Sequence, residues 1–481
     1  VKRFVKGEKP YTADELSDAY RIPIRITTQI LYQLTELHII IEVNYGDDER
    51  VVHYQPAIDV NKITVSYLLT RIIVGQFLGK EALAAVSASF FIYYFIISLV
   101  IGVGSGTTVV ISQLFGAKQY QKVQLAFSSF FIFMLVGGII LSIAGIIFAE
   151  PVFRLTNTPE EVIPQAVAYF RIYIGGTFLF VTFNSIISIL RGVGESVRPM
   201  LFILITTVLN IAFDLLFILV FKWGIEGAAR ATVVSQGIGM CIALAYVNNT
   251  HPLLSIKKQD MLFDWKLFKE SLKIGLPTSV QQCAIALGLI ALLGIVNSFG
   301  TNTLTAYGAA GKIDTIITQA ILTLSGALAA FCGQNIGAGR LDRVKKGVQF
   351  TMYTNIALGL LTFAAVYLFG NEMMRIFTKD IDVVAIGKEY LLIIGGFFIV
   401  HGALNVYNGA LRGAGDTLFP MITSLVCLWL IRIPLAYYLS SWLGRNGIWW
   451  AIGISITIGL IVTFVYYKMG FWKRRRRIYE L

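Results

Sequence analysis

The chain has 481 residues, of which 56% are hydrophobic and 14% charged, with a mean hydropathy of +0.71 and a formal net charge of +12. A soluble domain is about a quarter charged, so this composition excludes an ordinary aqueous fold and points to a bilayer as the solvent. Cys241, Cys283, Cys332 and Cys427 lie scattered and apart from the four histidines, without the spacing of a metal site, a disulfide framework or a nucleophile motif. Nothing in the sequence therefore supports an enzyme, a bound metal or a cofactor.

Residues 1–57 read as a small cytosolic segment of their own. Thr12-Ala13-Asp14-Glu15 has the form of a capping box opening a helix to about Tyr20. Pro23 starts a second helix that places Ile26, Ile30, Leu34 and Leu37 on one face. Ile39–Val43 and Arg50–Tyr54 flank the turn Tyr45-Gly46-Asp47-Asp48 as a hairpin. Helix, helix, hairpin is the winged-helix order, in which Arg25, Thr28, Gln29 and Tyr32 could reach a DNA groove. The acidic turn opposes phosphate, and no nucleic-acid partner is expected.

An N-terminal transmembrane lobe is expected over 58–247. Its first stretch, from Asp59 to Arg71, is too polar for a confident span, since a charged residue at a helix centre costs about 2.5–3.5 kcal/mol. Beyond it, apolar stretches recur at 89–112, 125–149, 200–221 and 447–468, each close to the ~20 residues that cross a hydrocarbon core. They lack the period-2 alternation of a barrel. The polar stretch 248–272 is predicted to be a cytoplasmic linker, with Met261, Trp265, Phe268 and Leu272 spaced for an amphipathic surface helix. A C-terminal lobe over 273–470 and a basic tail over 471–481 complete the chain.

Basic residues fall in alternate loops: Lys118 and Lys122, Arg191 and Arg198, Lys257 to Lys269, Arg340 to Lys346, Arg412, and the run from Lys473 to Arg477. The positive-inside rule then places both termini on the cytoplasmic side of the inner membrane, with the tail on anionic lipid.

One register relates the two lobes. Leu190-Arg191-Gly192-Val193-Gly194-Glu195-Ser196 returns as Leu411-Arg412-Gly413-Ala414-Gly415-Asp416-Thr417, and Pro199 returns as Pro420. Gln113-Leu114-Phe115-Gly116-Ala117 returns as Gln334-Asn335-Ile336-Gly337-Ala338, Tyr169 as Tyr390, and Asn184 as Asn405. The repeat predicts an all-α membrane protein of two six-helix bundles, nominally twelve spans with the first degenerate, related by a pseudo-twofold along the membrane normal. Symmetric halves around a midplane cavity are the usual architecture of alternating access.

The doubled Leu-Arg-Gly-x-Gly-[Glu/Asp]-[Ser/Thr] heptad, with Gln334-Asn335-Ile336-Gly337-Ala338-Gly339 and Asn210-x-x-x-Asp214, resembles the signature of the multidrug and toxic compound extrusion (MATE) transporters. The resemblance covers about 72–470. It implies secondary efflux of amphipathic, cationic organic compounds by a monomer, driven by proton or sodium antiport. Residues 1–70 resemble the cytosolic tail of the BrkB, or ribonuclease-BN-like, membrane family, which implies a fusion at the seam. The alternatives are a lipid-linked oligosaccharide flippase, or a transport-impaired fusion carrying a membrane-tethered regulatory winged helix.

Asp214 is the sharpest candidate. A carboxylate in mid-span is by default functional, and Asn210 lies one turn earlier on the same face. By resemblance the pair matches the family's ion-coupling acid and its neighbour. The bland alternative is an acid satisfied by an adjacent helix. The second lobe has Ile431 and Leu435 at the matching positions, so coupling is expected to be asymmetric. Asn184 and Asn405 are candidates for the cavity wall or for helix-to-helix hydrogen bonds. Gln281 and Gln282, further candidates for the cavity wall, stand where the resemblance puts an acid in some members' seventh helix. Lys312 and Asp314 add charge to the second lobe, in the cavity or at its rim, and their spacing of two keeps them from facing each other. Arg191, Gly192, Gly194, Arg412, Gly413 and Gly415 are expected to shape the gate loops, the glycines by permitting a tight helix exit with positive φ. Arg432 is grouped with them as a gate residue, with snorkelling as the alternative.

Overall fold

The computed structural model describes residues 11–12, 40–44, 52–56, 79–155, 158, 160–251, 254, 262–378 and 380–474. Near the N-terminus three short strands, β1 (Tyr11–Thr12), β2 (Ile40–Asn44) and β3 (Val52–Pro56), form an antiparallel sheet of order β1-β3-β2. The predicted hairpin is present, displaced slightly towards the C-terminus, with Val43 opposite His53 and Ile41 opposite Gln55. The two predicted helices before it, the DNA-facing candidates and the segment 58–78 lie outside the described residues.

The body is helical. The first lobe comprises α1 (Gly79–Gly116), α2 (Tyr120–Leu155), α3 (Ile163–Gly175), α4 (Thr177–Gly192), α5 (Val197–Leu215) and α6 (Gly224–Thr250). The second comprises α7 (Trp265–Asn297), α8 (Thr301–Gly337), α9 (Leu341–Arg375), α10 (Ile381–Gly396), α11 (Phe398–Gly413), α12 (Leu418–Leu425), α13 (Ile433–Leu443) and α14 (Arg445–Met469). Among the described residues eight helices are long and apolar enough to cross a membrane, and ten spans result when each of two bent pairs counts as one. The 38-residue α1 is a further helix of spanning length.

The repeat read in the sequence holds in three dimensions. α4 and α11 begin and end at positions that match under it, and the preceding bends, α3 to α4 and α10 to α11, measure 43° and 47°. The linker is shorter than its polar composition suggests. Trp265 and Phe268 belong to the first turns of the 33-residue α7 rather than to a separate surface helix. Asp264 caps that helix by accepting from the backbone N–H groups of Lys266 and Leu267 at 2.8 and 2.9 Å, and Phe268 is buried with its ring 4.4 Å from that of Phe133.

Two kinds of exposed helix face occur. On α9 the exposed side chains include Phe350, Leu360, Leu361 and Leu368, an apolar surface suited to lipid. On α8 one set, Thr305, Gly308, Lys312, Thr315, Gln319, Thr323 and Gly326, is spaced by three and four and hence on one face, with exposed Leu322 and Phe331 beside it. Thr305, Thr315 and Thr323 satisfy their hydroxyls on the carbonyl one turn back, so the Lys312 ammonium is the group of this face that bare hydrocarbon would penalise most.

The lobes meet along the C-terminal half of α1. A Cβ on Gly106 would collide with backbone atoms of Ser271 and Gly275 in α7, and one on Gly333 of α8 with the Ser112 hydroxyl. Only glycine lets the two backbones approach this closely. Further up α8, Gly308, Gly311 and Gly326 have open space where a Cβ would be. The lobes therefore touch at the heptad end, whereas these α8 glycines have no neighbour at the Cβ position.

Candidate functional site

In the first lobe the buried residues of α5 are Pro199, Phe202, Thr206, Asn210 and Asp214, a single stripe at helical spacing. Asp214 is fully buried, and Asn210 donates from Nδ2 to the Thr232 hydroxyl of α6 at 3.3 Å. Immediately beyond Asp214 the helix widens into a π-helical turn, Leu216–Val220, a distortion that recurs at functional positions. A stack of tyrosines lies in the same lobe, with Tyr93 4.3 Å edge-on to Tyr173 and Tyr173 stacked at 5.5 Å on Tyr169.

The second lobe replaces Tyr93 with Asp314. Its carboxylate accepts from the hydroxyls of Tyr390 (3.2 Å) and Thr318 (3.4 Å). Tyr390 in turn sits edge-on to Trp449 at 4.8 Å, and Tyr307 stacks on the same indole at 5.4 Å. Arg432 ends the π-helical stretch Val426–Arg432 and donates from Nε to the Ser455 hydroxyl of α14 at 2.8 Å. It interacts electrostatically with Asp314, Tyr307, Tyr390 and His401. Arg432 thus lies within the second lobe, bonded to α14 through Ser455. Lys312, as its spacing required, points away from Asp314. It is exposed on the α8 stripe, with its ammonium 5.3 Å above the Phe377 ring.

The remaining candidates are placed as follows. Asn184 and Asn405 each donate to the carbonyl one turn back, Phe180 and His401, at 2.9 Å. Asn405 is buried against α8, where the Ser325 hydroxyl donates to its carbonyl at 2.6 Å. Gln281 is buried and spends its amide between α7 and α12, donating to the Ser424 hydroxyl at 2.6 Å. Gln282 is half-buried. Arg191 is exposed and Arg412 half-buried.

The heptad glycines divide into two jobs. Gly194 and Gly415 have φ of +96° and +81°, where L-residues with a side chain are strained. Gly192 and Gly413 are tight packing positions: a Cβ would lie 3.0 Å from Ile111 in the first, and 2.7 Å from Cys332 in the second. The heptad acids bind helix ends. Glu195 accepts from the Tyr246 hydroxyl at 3.0 Å and meets His251 Nε2 at 3.0 Å, and Asp416 accepts from the Tyr466 hydroxyl at 2.6 Å.

The MatE family profile matches twice, over residues 57–216 and 277–438, once in each lobe. The chain belongs to the MatE family. It is therefore a multi-pass membrane transporter rather than an enzyme. It is similar to a probable multidrug resistance protein, YpnP, of Bacillus subtilis, at 34% identity over 89% of this chain and 96% of that one. It is also similar to YoeA of the same organism at 29% (86% and 91%) and to a NorM of Thermotoga maritima at 26% (83% and 88%). Among solved structures, a MATE protein in a bent conformation superposes with a TM-score of 0.80 at 24% identity, covering 85% of this chain and 92% of that one. An outward-facing MATE transporter of the MOP superfamily gives 0.80 at 24% (85% and 93%). The first profile match begins at residue 57, ahead of about residue 72, where the resemblance read from motifs begins. Residues 1–56 lie outside that match.

Proposed function

We propose that this MatE transporter exports amphipathic, cationic organic compounds across the inner membrane in exchange for protons or sodium ions, with both termini and both heptads on the cytoplasmic side. The observation that carries the reading is a fully buried carboxylate, Asp214, within one of two pseudo-symmetric lobes. The names of the relatives in Bacillus subtilis and Thermotoga maritima agree with it.

Asp214 supplies the coupling chemistry. Burial in a low dielectric makes the free carboxylate costly, so it is accommodated by a proton or by a cation. The neighbouring amide of Asn210 and hydroxyl of Thr232 add hard oxygen donors of the kind an alkali cation accepts. Ion binding neutralises the site and favours one arrangement of α5 against α6, and release to the opposite side favours the other. The π turn after Asp214 supplies the slack for that change.

The test is ethidium efflux from everted vesicles under an imposed pH gradient, with a sodium gradient as the second arm. Asp214→Asn should abolish gradient-driven efflux and leave ethidium binding in place. Efflux at the parent rate would remove Asp214 from the coupling role.

A further inference from the structure

The glutamines that open the repeated motifs in α1 and α8 have no part in the coupling site, yet they make matched contacts across the molecule. Gln113 Nε2 donates to the Gly413 carbonyl at 2.9 Å, and Gln334 Nε2 donates to the Gly192 carbonyl at 3.0 Å. Each donor belongs to one lobe and each acceptor to the heptad of the other. The two bonds exchange places under the pseudo-twofold.

The acceptors are orphans of helix termination. At the end of α4 the turn uses the carbonyls of Ile189, Leu190 and Arg191, which accept from the N–H groups of Val193, Glu195 and Gly194 at 3.1, 2.9 and 3.1 Å. At the end of α11 the carbonyls of Ala410, Leu411 and Arg412 are used in the same way by Ala414, Asp416 and Gly415. The next carbonyl in each series, Gly192 or Gly413, has no partner within its own turn, as the last carbonyls of a helix characteristically do not. The opposite lobe's glutamine fills it. Close approach makes this reach possible. A Cβ on Gly116 would strike the backbone carbonyl of Gln334, and one on Gly337 that of Gln113.

We propose that Gln113 and Gln334 form a reciprocal latch that holds the heptad-side gate shut, and that both bonds break whenever the transporter opens to that side. The placement decides this. Both bonds join the lobes, and both lie at the heptad end, where glycines bring the lobes into closest approach. Rotation that opens the heptad side withdraws each amide from its carbonyl, and entering water takes over both groups. The latch therefore biases the resting transporter towards the outward-facing state without preventing the exchange. The proposal rests on the transporter reading and on the heptads being cytoplasmic.

Ser112 is buried at this seam beside Gly333 and serves as the reporter. In the full chain with its four cysteines replaced, Ser112→Cys is labelled by a membrane-impermeant maleimide from each face, in inside-out vesicles and in intact cells. Gln113→Leu or Gln334→Leu should each speed labelling in inside-out vesicles by about five-fold, and the pair together by about 25-fold, given the usual net worth of one hydrogen bond and its additivity. Parent-like rates in both single variants would overturn the latch. Faster labelling from the outer face alone would uphold the latch and overturn the sidedness it rests on.

A pair of glycine variants keeps the test open if the leucine variants fail to fold. Gly194→Ala and Gly415→Ala carry similar positive-φ strain, but the added Cβ lies 3.0 Å from Gln334 Nε2 in the first and 4.0 Å from Gln113 Nε2 in the second. Gly194→Ala should speed labelling and Gly415→Ala should not. Equal rates in the two would refute the latch. A parent protein that moves no ethidium but shows these labelling differences would sink the cargo assignment and leave the latch standing.

Discussion

Asp314→Leu is the most direct probe of the second lobe. The substitution removes the acceptor of the Tyr390 and Thr318 hydroxyls, 3.2 and 3.4 Å away, and leaves the Arg432 guanidinium without its facing charge. Breaking a buried ion pair costs about 3–5 kcal/mol, but two features lower that figure here. No ion pair within 4.0 Å joins Asp314 to Arg432, so at an effective dielectric near 20 their attraction stays below about 4 kcal/mol. Both side chains are also partly accessible, and Arg432 keeps its Ser455 bond at 2.8 Å. An attraction of about 1–2 kcal/mol plus two orphaned hydroxyls, worth about 1 kcal/mol each, gives a loss of about 3–4 kcal/mol. Thermal unfolding in detergent across a double-mutant cycle with Arg432→Gln measures it. Asp314→Leu should unfold well below the parent, and adding Arg432→Gln should recover part of the loss, because the second change removes the unbalanced charge. Purely additive losses in the double variant would show that the two side chains do not interact.

Gln281→Leu should cost about 1 kcal/mol by severing the bond between α7 and Ser424, read as a lower midpoint in the same unfolding assay with ethidium binding unchanged. Binding lost at unchanged stability would place Gln281 in the cavity instead. Gly106→Ala, whose Cβ meets the α7 backbone, should destabilise by about 1–3 kcal/mol. Gly137→Ala, with open space around it, should be neutral or stabilising by up to about 1 kcal/mol, and equal effects of the two changes would refute the close lobe contact.

Composition and one long-range register were enough to read a helical membrane protein of two matched bundles, because a bilayer demands long apolar helices and duplication preserves their spacing. Asn210 and Asp214 were legible as neighbours for the same local reason, since four residues make one turn. The polar residues on one face of α8, from Thr305 to Thr323, are also written in the sequence at helical spacing. Tertiary structure alone decided the rest. Arg432 and Asp314 are far apart in sequence and on different helices, and nothing local marks them as partners. Gln113 and Gln334 were visible as repeat mates, but their bonds to Gly413 and Gly192 depend on how one lobe docks on the other. Asn405, legible in sequence either as a cavity-wall residue or as a helix-to-helix hydrogen bond, donates its amide to its own helix. Local periodicity fixes which residues share a face, whereas the partner that meets that face is chosen by packing between distant segments.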